Sequence, residues 1–173
     1  MFAVDVATND VTRVTENRLG GNDIPADYAP DGAQILFARE DPSNDQGPMA
    51  LFVAAPDGSD QTRITPWSED AGGNWSPDGS LIVFTEDGQL RTIAPDGTEP
   101  TTIPVDFGEG FADPYKPAWS PDGSRIVFSL FLERTGQVDL FTVAADGSRL
   151  VQLTDSPEPD EFADWGPAPS DAG

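Results

Sequence analysis

The chain has 173 residues, 37% of them hydrophobic, which is enough apolar material for a core and the size of one domain or a portion of a larger one. Cysteine and histidine are both absent, which excludes disulfides, thiolate or imidazole zinc sites, cysteine nucleophiles and any Ser-His-Asp triad. Nine basic against 31 acidic residues give a net charge of -22, a surface that repels nucleic-acid phosphates and anionic lipid.

No apolar run approaches the roughly 20 residues that would insert into a membrane, and the first residues carry no signal-peptide pattern. Aspartate outnumbers glutamate 22 to 9, and Lys116 is the sole lysine. Such an acidic shell is either a solvated coat that keeps the chain soluble or a surface that recruits a cation or basic partner.

Taken in chain order, the sequence repeats. A first marker occurs as YAPDG from Tyr28, WSPDG from Trp75, WSPDG from Trp119 and a degraded WGPAP from Trp165. Its period of about 45 residues is that of a repeat architecture. A second marker alternates with it: MFAVDVATNDVTRVT from Met1, LFVAAPDGSDQTRIT from Leu51, LRTIAPDGTEPTTIP from Leu90 and LFTVAADGSRLVQLT from Leu140.

Each unit reads as four short strands. The first ends at the aromatic, and Pro-Asp-Gly then supplies a tight turn, with proline's fixed φ followed by a glycine free to adopt positive φ. The second strand is a short unbroken apolar run, Ile35–Phe37, Leu81–Phe84 or Ile126–Phe128, which suits a sheet covered on both faces and is too short for a helix. The third strand carries Leu51–Val53 or Leu140–Val143, and an Asp-Gly turn (Asp57-Gly58, Asp96-Gly97, Asp146-Gly147) leads to the fourth. No stretch of ten or more residues has helical periodicity, so the fold is all-β.

Four-stranded units of this length that need cover on both faces are expected to form β-propeller blades. The combination W-S-P-D-G-x-x-I-x-F, L-F-x-V-x-x-D-G and x-x-L-T resembles the repeat of TolB-type β-propellers, related to WD-type repeats, over residues 1–167. The resemblance implies a periplasmic or secreted propeller that works by protein–protein contact, without chemistry or cofactor of its own. It also admits an accessory propeller portion of a larger peptidase or envelope protein.

The expected division is a partial blade over 1–15, blades over 24–65, 73–103 and 117–154, a final first strand over 162–167 and a flexible tail over 168–173. Three complete blades and parts of another leave three arrangements: a portion of a longer propeller, two copies completing one ring as a homo-oligomer, or a minimal four-bladed ring or open arc. An isolated arc is expected to self-associate through its uncovered sheets.

The turns between strands one and two and between three and four share one rim, where Pro-Asp-Gly and Asp-Gly are read as structural. The opposite rim collects longer acidic loops and is the expected binding face. Asp23, Asp70 and Asp160 each lie five residues before a blade aromatic, and Asp113 lies six before Trp119. Either each carboxylate pins its loop, or together they ring the channel mouth and attract a basic peptide or Ca²⁺.

Asp155, Glu158, Asp160, Glu161 and Asp164 are dense enough to contribute to a calcium site, although their spacing lacks the glycine-bearing pattern of an EF-hand loop. Phe107, Glu109, Phe111 and Tyr115 fall in what reads as the longest inter-blade loop, where aromatics beside acids make a partner hot spot or a cover over the channel. Tyr28, Trp75, Trp119 and Trp165 occupy equivalent repeat positions and are expected between blades. A carboxylate pair such as Glu161 and Asp164 could serve a glycosidase, but no unique pair stands out from the repeat, and no enzyme activity is expected.

Overall fold

A computed structural model describes residues 1–16, 22–43, 47–68 and 72–166, with the side chains of Phe111 and Ala112 left aside. Its strands form one two-stranded and three four-stranded antiparallel sheets. The first sheet pairs β1 (Phe2–Val4) with β2 (Val11–Arg13). Blade 1 follows as β3 (Asp23–Tyr28), β4 (Ile35–Glu40), β5 (Met49–Ala54) and β6 (Thr62–Arg63). Blade 2 is β7 (Gly73–Trp75), β8 (Ile82–Glu86), β9 (Gln89–Ile93) and β10 (Thr101–Thr102). Blade 3 is β11 (Phe111–Trp119), β12 (Arg125–Leu132), β13 (Gln137–Ala144) and β14 (Val151–Gln152). In each blade the strands pair in sequence order, as an all-β propeller with a partial ring of blades requires.

The apolar run of each second strand explains why the sheets stack. Successive side chains point to opposite faces. Ile35 and Phe37 therefore pack with Val14, Met1 and Ala3 of the first sheet, while Leu36 and Ala38 meet Trp75, Ile82 and Phe84 of blade 2. In blade 2 the next residue, Val83, turns to Ile126, Phe128 and Phe141 of blade 3. Phe37, Ile82 and Phe128 are all fully buried, and each stabilises the stack by about 1.5–3 kcal/mol.

The turns hold as their chemistry dictates. In Ser76-Pro77-Asp78-Gly79 the Gly79 N–H donates to Ser76 O (2.9 Å), and Gly79 sits at φ +73°. The Ser80 N–H (3.0 Å) and hydroxyls of Ser76 (2.7 Å) and Ser80 (2.8 Å) all donate to Asp78 Oδ1. Asp122 is held the same way by Ser120 and Ser124.

The Asp-Gly turns make a closer approach. A side chain on Gly58 would meet Val14 O at 1.5 Å, one on Gly97 would meet Ile64, and one on Gly147 would meet Pro104 O at 2.7 Å. Each of these glycines thus docks its turn on the outer end of the preceding sheet.

Four expectations are corrected. The segment around Phe111, Asp113 and Tyr115 is strand, not loop, because β12 is long enough to keep pairing with it from Leu132 back to Ser129. Two bulges in β11, one at Asp113 just before Pro114 and one at Lys116 and Pro117, let the strand accommodate two prolines that have no N–H for the ladder.

Residues 162–166 form no strand. They lie across blade 3 through single bonds: Asp160 N–H to Val138 O (2.9 Å), Phe162 N–H to Ser129 Oγ (3.2 Å) and Trp165 Nε1–H to Ala118 O (3.2 Å). No neighbouring strand among the described residues offers them a ladder.

Tyr28 is not inter-blade core but 55% exposed, whereas Trp75 is 4% exposed. The two-stranded first sheet is too narrow to reach over Tyr28. Phe107 is not a presented rim aromatic, since its ring meets Phe128 edge-on at 5.9 Å and joins the core between blades 2 and 3. The tail 168–173 lies outside the described residues.

Candidate functional site

Two places gather chemistry that the repeat alone does not need. The first is the axis of the arc, where β3, β7 and β11, the leading strands of the three blades, run side by side. One residue ahead of each blade aromatic stands Asp27, Asn74, Ala118 or Asp164. Asp27 Oδ2 accepts from Asn74 Nδ2 (2.8 Å) and from the Trp75 N–H (2.9 Å). Asn74 Oδ1 in turn accepts the Trp119 N–H (2.7 Å), so a polar link passes from blade 1 through blade 2 to blade 3. Asp164 Oδ1 accepts its neighbour's N–H, that of Trp165 (2.8 Å).

Ile24, Asp27, Asn74, Lys116 and Asp164 line a cavity of about 240 Å³ at this axis. Burial pushes the Asp27 carboxyl above its ordinary value and the charge of Asp164 adds to this, against the N–H bonds from Trp75 and Tyr28. The chain's sole lysine, Lys116, reaches the same cavity from the second bulge of β11, at φ +53°.

The second place is the rim formed by the inter-blade loops and the turns between strands two and three. Here Pro48, Pro66, Trp67, Ser68, Glu86, Asp87, Gly88 and Asp113 enclose a cleft of about 720 Å³. Trp67 is half-buried, its ring 6.2 Å from that of Phe52, with the Arg63 guanidinium 5.3 Å from its centre. Asp87 and Gly88 both take positive φ (52° and 69°), the conformation of a tight two-residue hairpin turn. A side chain on Gly88 would meet Asp113 Oδ1 at 2.9 Å, so the carboxylate of blade 3 lies directly against the turn of blade 2. Glu86 is paired with Arg91.

Of the remaining sequence-derived candidates, Tyr115 and Glu161 meet, and the others do not converge among the described residues. Asp23 lies within blade 1, its carboxylate gripped at both oxygens by Arg39 (2.6 and 3.0 Å). Burial raises its pKa, but the Arg39 bond and the other attractions outweigh this and hold it below the ordinary value. Asp70 lies outside the described residues. Asp160 accepts from the Ser156 hydroxyl (3.0 Å), and Ser156 also donates to Glu158 O.

Tyr115 is half-buried, and burial together with its bond to Glu161 pushes the phenol up to about 12. Glu109 is exposed, and of Phe111 only the backbone is described. Among the described residues no three acidic side chains converge as a metal ion would require, and this includes Asp155, Glu158 and Asp160. Of the carboxylates five residues before the aromatics, Asp23 and Asp160 are each held by a neighbouring side chain, Arg39 and Ser156. The residue one before the aromatic carries a link from blade to blade at Asp27 and Asn74, and that signal was present in the sequence as D-Y and N-W. Trp67 also bore a signal, as the only tryptophan outside the repeat positions.

No family model and no curated protein matches the chain. Among solved structures it is similar to TolB from Acinetobacter baumannii, with 18% identity over 92% of this chain and 39% of that one at a TM-score of 0.74. A structure assigned to TolB from Agrobacterium tumefaciens shares 20% identity over 82% and 51% at a TM-score of 0.67. Oligogalacturonate lyase from Vibrio parahaemolyticus shares 16% over 88% and 46% at a TM-score of 0.64. The fold is therefore that of the TolB-like β-propellers. The chain spans about half the length of these structures, or less.

Proposed function

We propose that this chain is a non-catalytic propeller segment that binds a protein or peptide partner on the rim of its inter-blade loops, in an envelope or secreted setting like that implied for TolB-type propellers. The observation that carries this reading is the division of labour among the carboxylates. Those inside the fold are tied to structural donors: Asp23 to Arg39, Asp27 to Asn74 and Trp75, and Asp139 to Gln152 and Thr154. Those on the rim, such as Asp87 and Asp113, are exposed and face a cleft. Exposed charge beside aromatic and proline surface favours recognition, and its strength lies in specificity and encounter rate.

An array of basic, neutral and acidic peptides probed with the purified chain, alongside an assay for cleavage of oligogalacturonate, tests the reading. Saturable binding of the basic members without turnover supports it. Turnover that disappears in Asp27→Asn or Asp164→Asn would instead make the axis cavity an active site.

A further inference from the structure

The repeat supplies an internal comparison at the rim cleft. Counted from the blade aromatic, Arg39 of blade 1, Glu86 of blade 2 and Leu130 of blade 3 occupy the same place in the second strand. In blade 1 this place holds a cation. Its guanidinium pairs with Asp23 and lies over Phe37 (5.2 Å) and Phe52 (5.0 Å), so carboxylate and aromatic surface together hold an arginine. In blade 2 the sign is reversed.

Glu86 has Arg91, but the two further carboxylates at the cleft, Asp87 and Asp113, are exposed with no basic side chain beside them among the described residues. They come from different blades and are brought together because Gly88 leaves room for Asp113 against the turn. Opposite them stand Pro48, Pro66 and Trp67, one face of whose ring already carries the chain's own Arg63 guanidinium at 5.3 Å from its centre. These surfaces suit the methylene stem of a long basic side chain while its head stays with the acids.

We propose that this cleft, spanning Trp67, Asp87 and Asp113, is the docking site for an arginine-bearing segment of a protein partner. The inference rests on the interaction reading above and narrows it to one cleft and one chemistry. Charge complementarity selects the occupant: the whole chain carries -22, and a second copy would meet repulsion.

The test is an NMR titration of the ¹⁵N-labelled full chain with the blocked peptide Gly-Arg-Gly-Arg-Gly, and with its glutamate counterpart as control. The Trp67 indole N–H and the Asp87, Gly88 and Asp113 amides are expected to shift saturably with the arginine peptide alone. Asp87→Asn with Asp113→Asn weakens binding about tenfold, while Asp10→Asn with Asp60→Asn, an equal loss of charge elsewhere, changes it less than twofold. Asn-Gly keeps the hairpin turn, and an unchanged circular dichroism spectrum confirms that the double variant folds.

Equal weakening by the two double variants would overturn the cleft in favour of diffuse attraction. Saturable shifts mapped to another part of the rim would overturn the cleft but leave the interaction reading standing. No binding of either peptide, together with a silent array, would sink both.

Discussion

The two rims of this arc are built from the same blades and obey different rules. On one rim the turns repeat almost residue for residue, with Ser-Pro-Asp-Gly at Ser76 and Ser120 and Asp-Gly at Asp57, Asp96 and Asp146. Their side chains are spent on local bonds: each aspartate caps the backbone two residues on, and each outer glycine presses on the preceding sheet. On the other rim nothing repeats. Trp67 has no counterpart, Asp87 sits in a two-residue turn, and Asp113 is re-aimed by a bulge. Repetition here marks what holds the blades together, and departure from it marks where the molecule has chemistry to offer.

The largest effect is expected at a repeated glycine. Gly58→Ala forces a side chain onto Val14 O at a positive φ and should cost about 3 kcal/mol in urea unfolding. Gly32→Ala is also at positive φ but has open space around it, and should cost only about 1 kcal/mol. Equal losses would show that the close approach to the preceding sheet does not matter.

Next comes Ser76→Ala. The Ser76 hydroxyl accepts the Leu81 N–H (2.9 Å) and donates to Asp78, so its removal should cost about 1 kcal/mol.

Acid should distinguish the rims in a third way. The carboxyls of Asp78 and Asp122 are held at about 2, first by the hydroxyls of Ser76 and Ser120 and then by the N–H and hydroxyl groups of Ser80 and Ser124. The folded chain therefore binds these protons less readily than the unfolded one. Their contribution is complete above the ordinary carboxylate value of about 4 and is lost as pH falls toward 2. Asp27, raised by burial, acts in the opposite sense. Stability measured across that window should fall toward acid, and Ser76→Ala with Ser120→Ala should flatten the fall. A profile unchanged in the double variant would break the assignment.

The smallest change in stability, within about 0.5 kcal/mol, is expected for Asp87→Asn on the variable rim, where only binding should respond.

Much of the fold was legible because its causes are local. The unbroken runs Ile35–Phe37 and Ile126–Phe128 announced sheets covered on both faces, and Pro-Asp-Gly announced the turns. The site was less legible because its causes cross from blade to blade. Nothing in the spacing of Asp23 told that Arg39 would neutralise it, since that depends on strand register. Phe107 read as a loop aromatic because its contact with Phe128 joins two blades. The segment holding Phe111 and Tyr115 read as loop, yet bulges let β11 keep its pairing past Pro114 and Pro117. Tyr28 had the repeat's position but not its cover, since what lies over a blade aromatic depends on the width of the adjoining sheet.

The link from Asp27 to Asn74 to Trp119 carries a consequence for how such an arc is assembled and altered. Blade 1 is tied to blade 2, and blade 2 to blade 3, by one carboxylate or amide that engages the backbone, in addition to the apolar contacts between their sheets. An Asp or Asn just ahead of the tryptophan is thus a coupling pin, and vanes that keep it can be exchanged or duplicated in register. At Ala118 the pin is missing, and the segment after blade 3 is held instead by scattered single bonds from Asp160, Phe162 and Trp165. The seam after blade 3 therefore lacks the polar coupling that joins the blades before it.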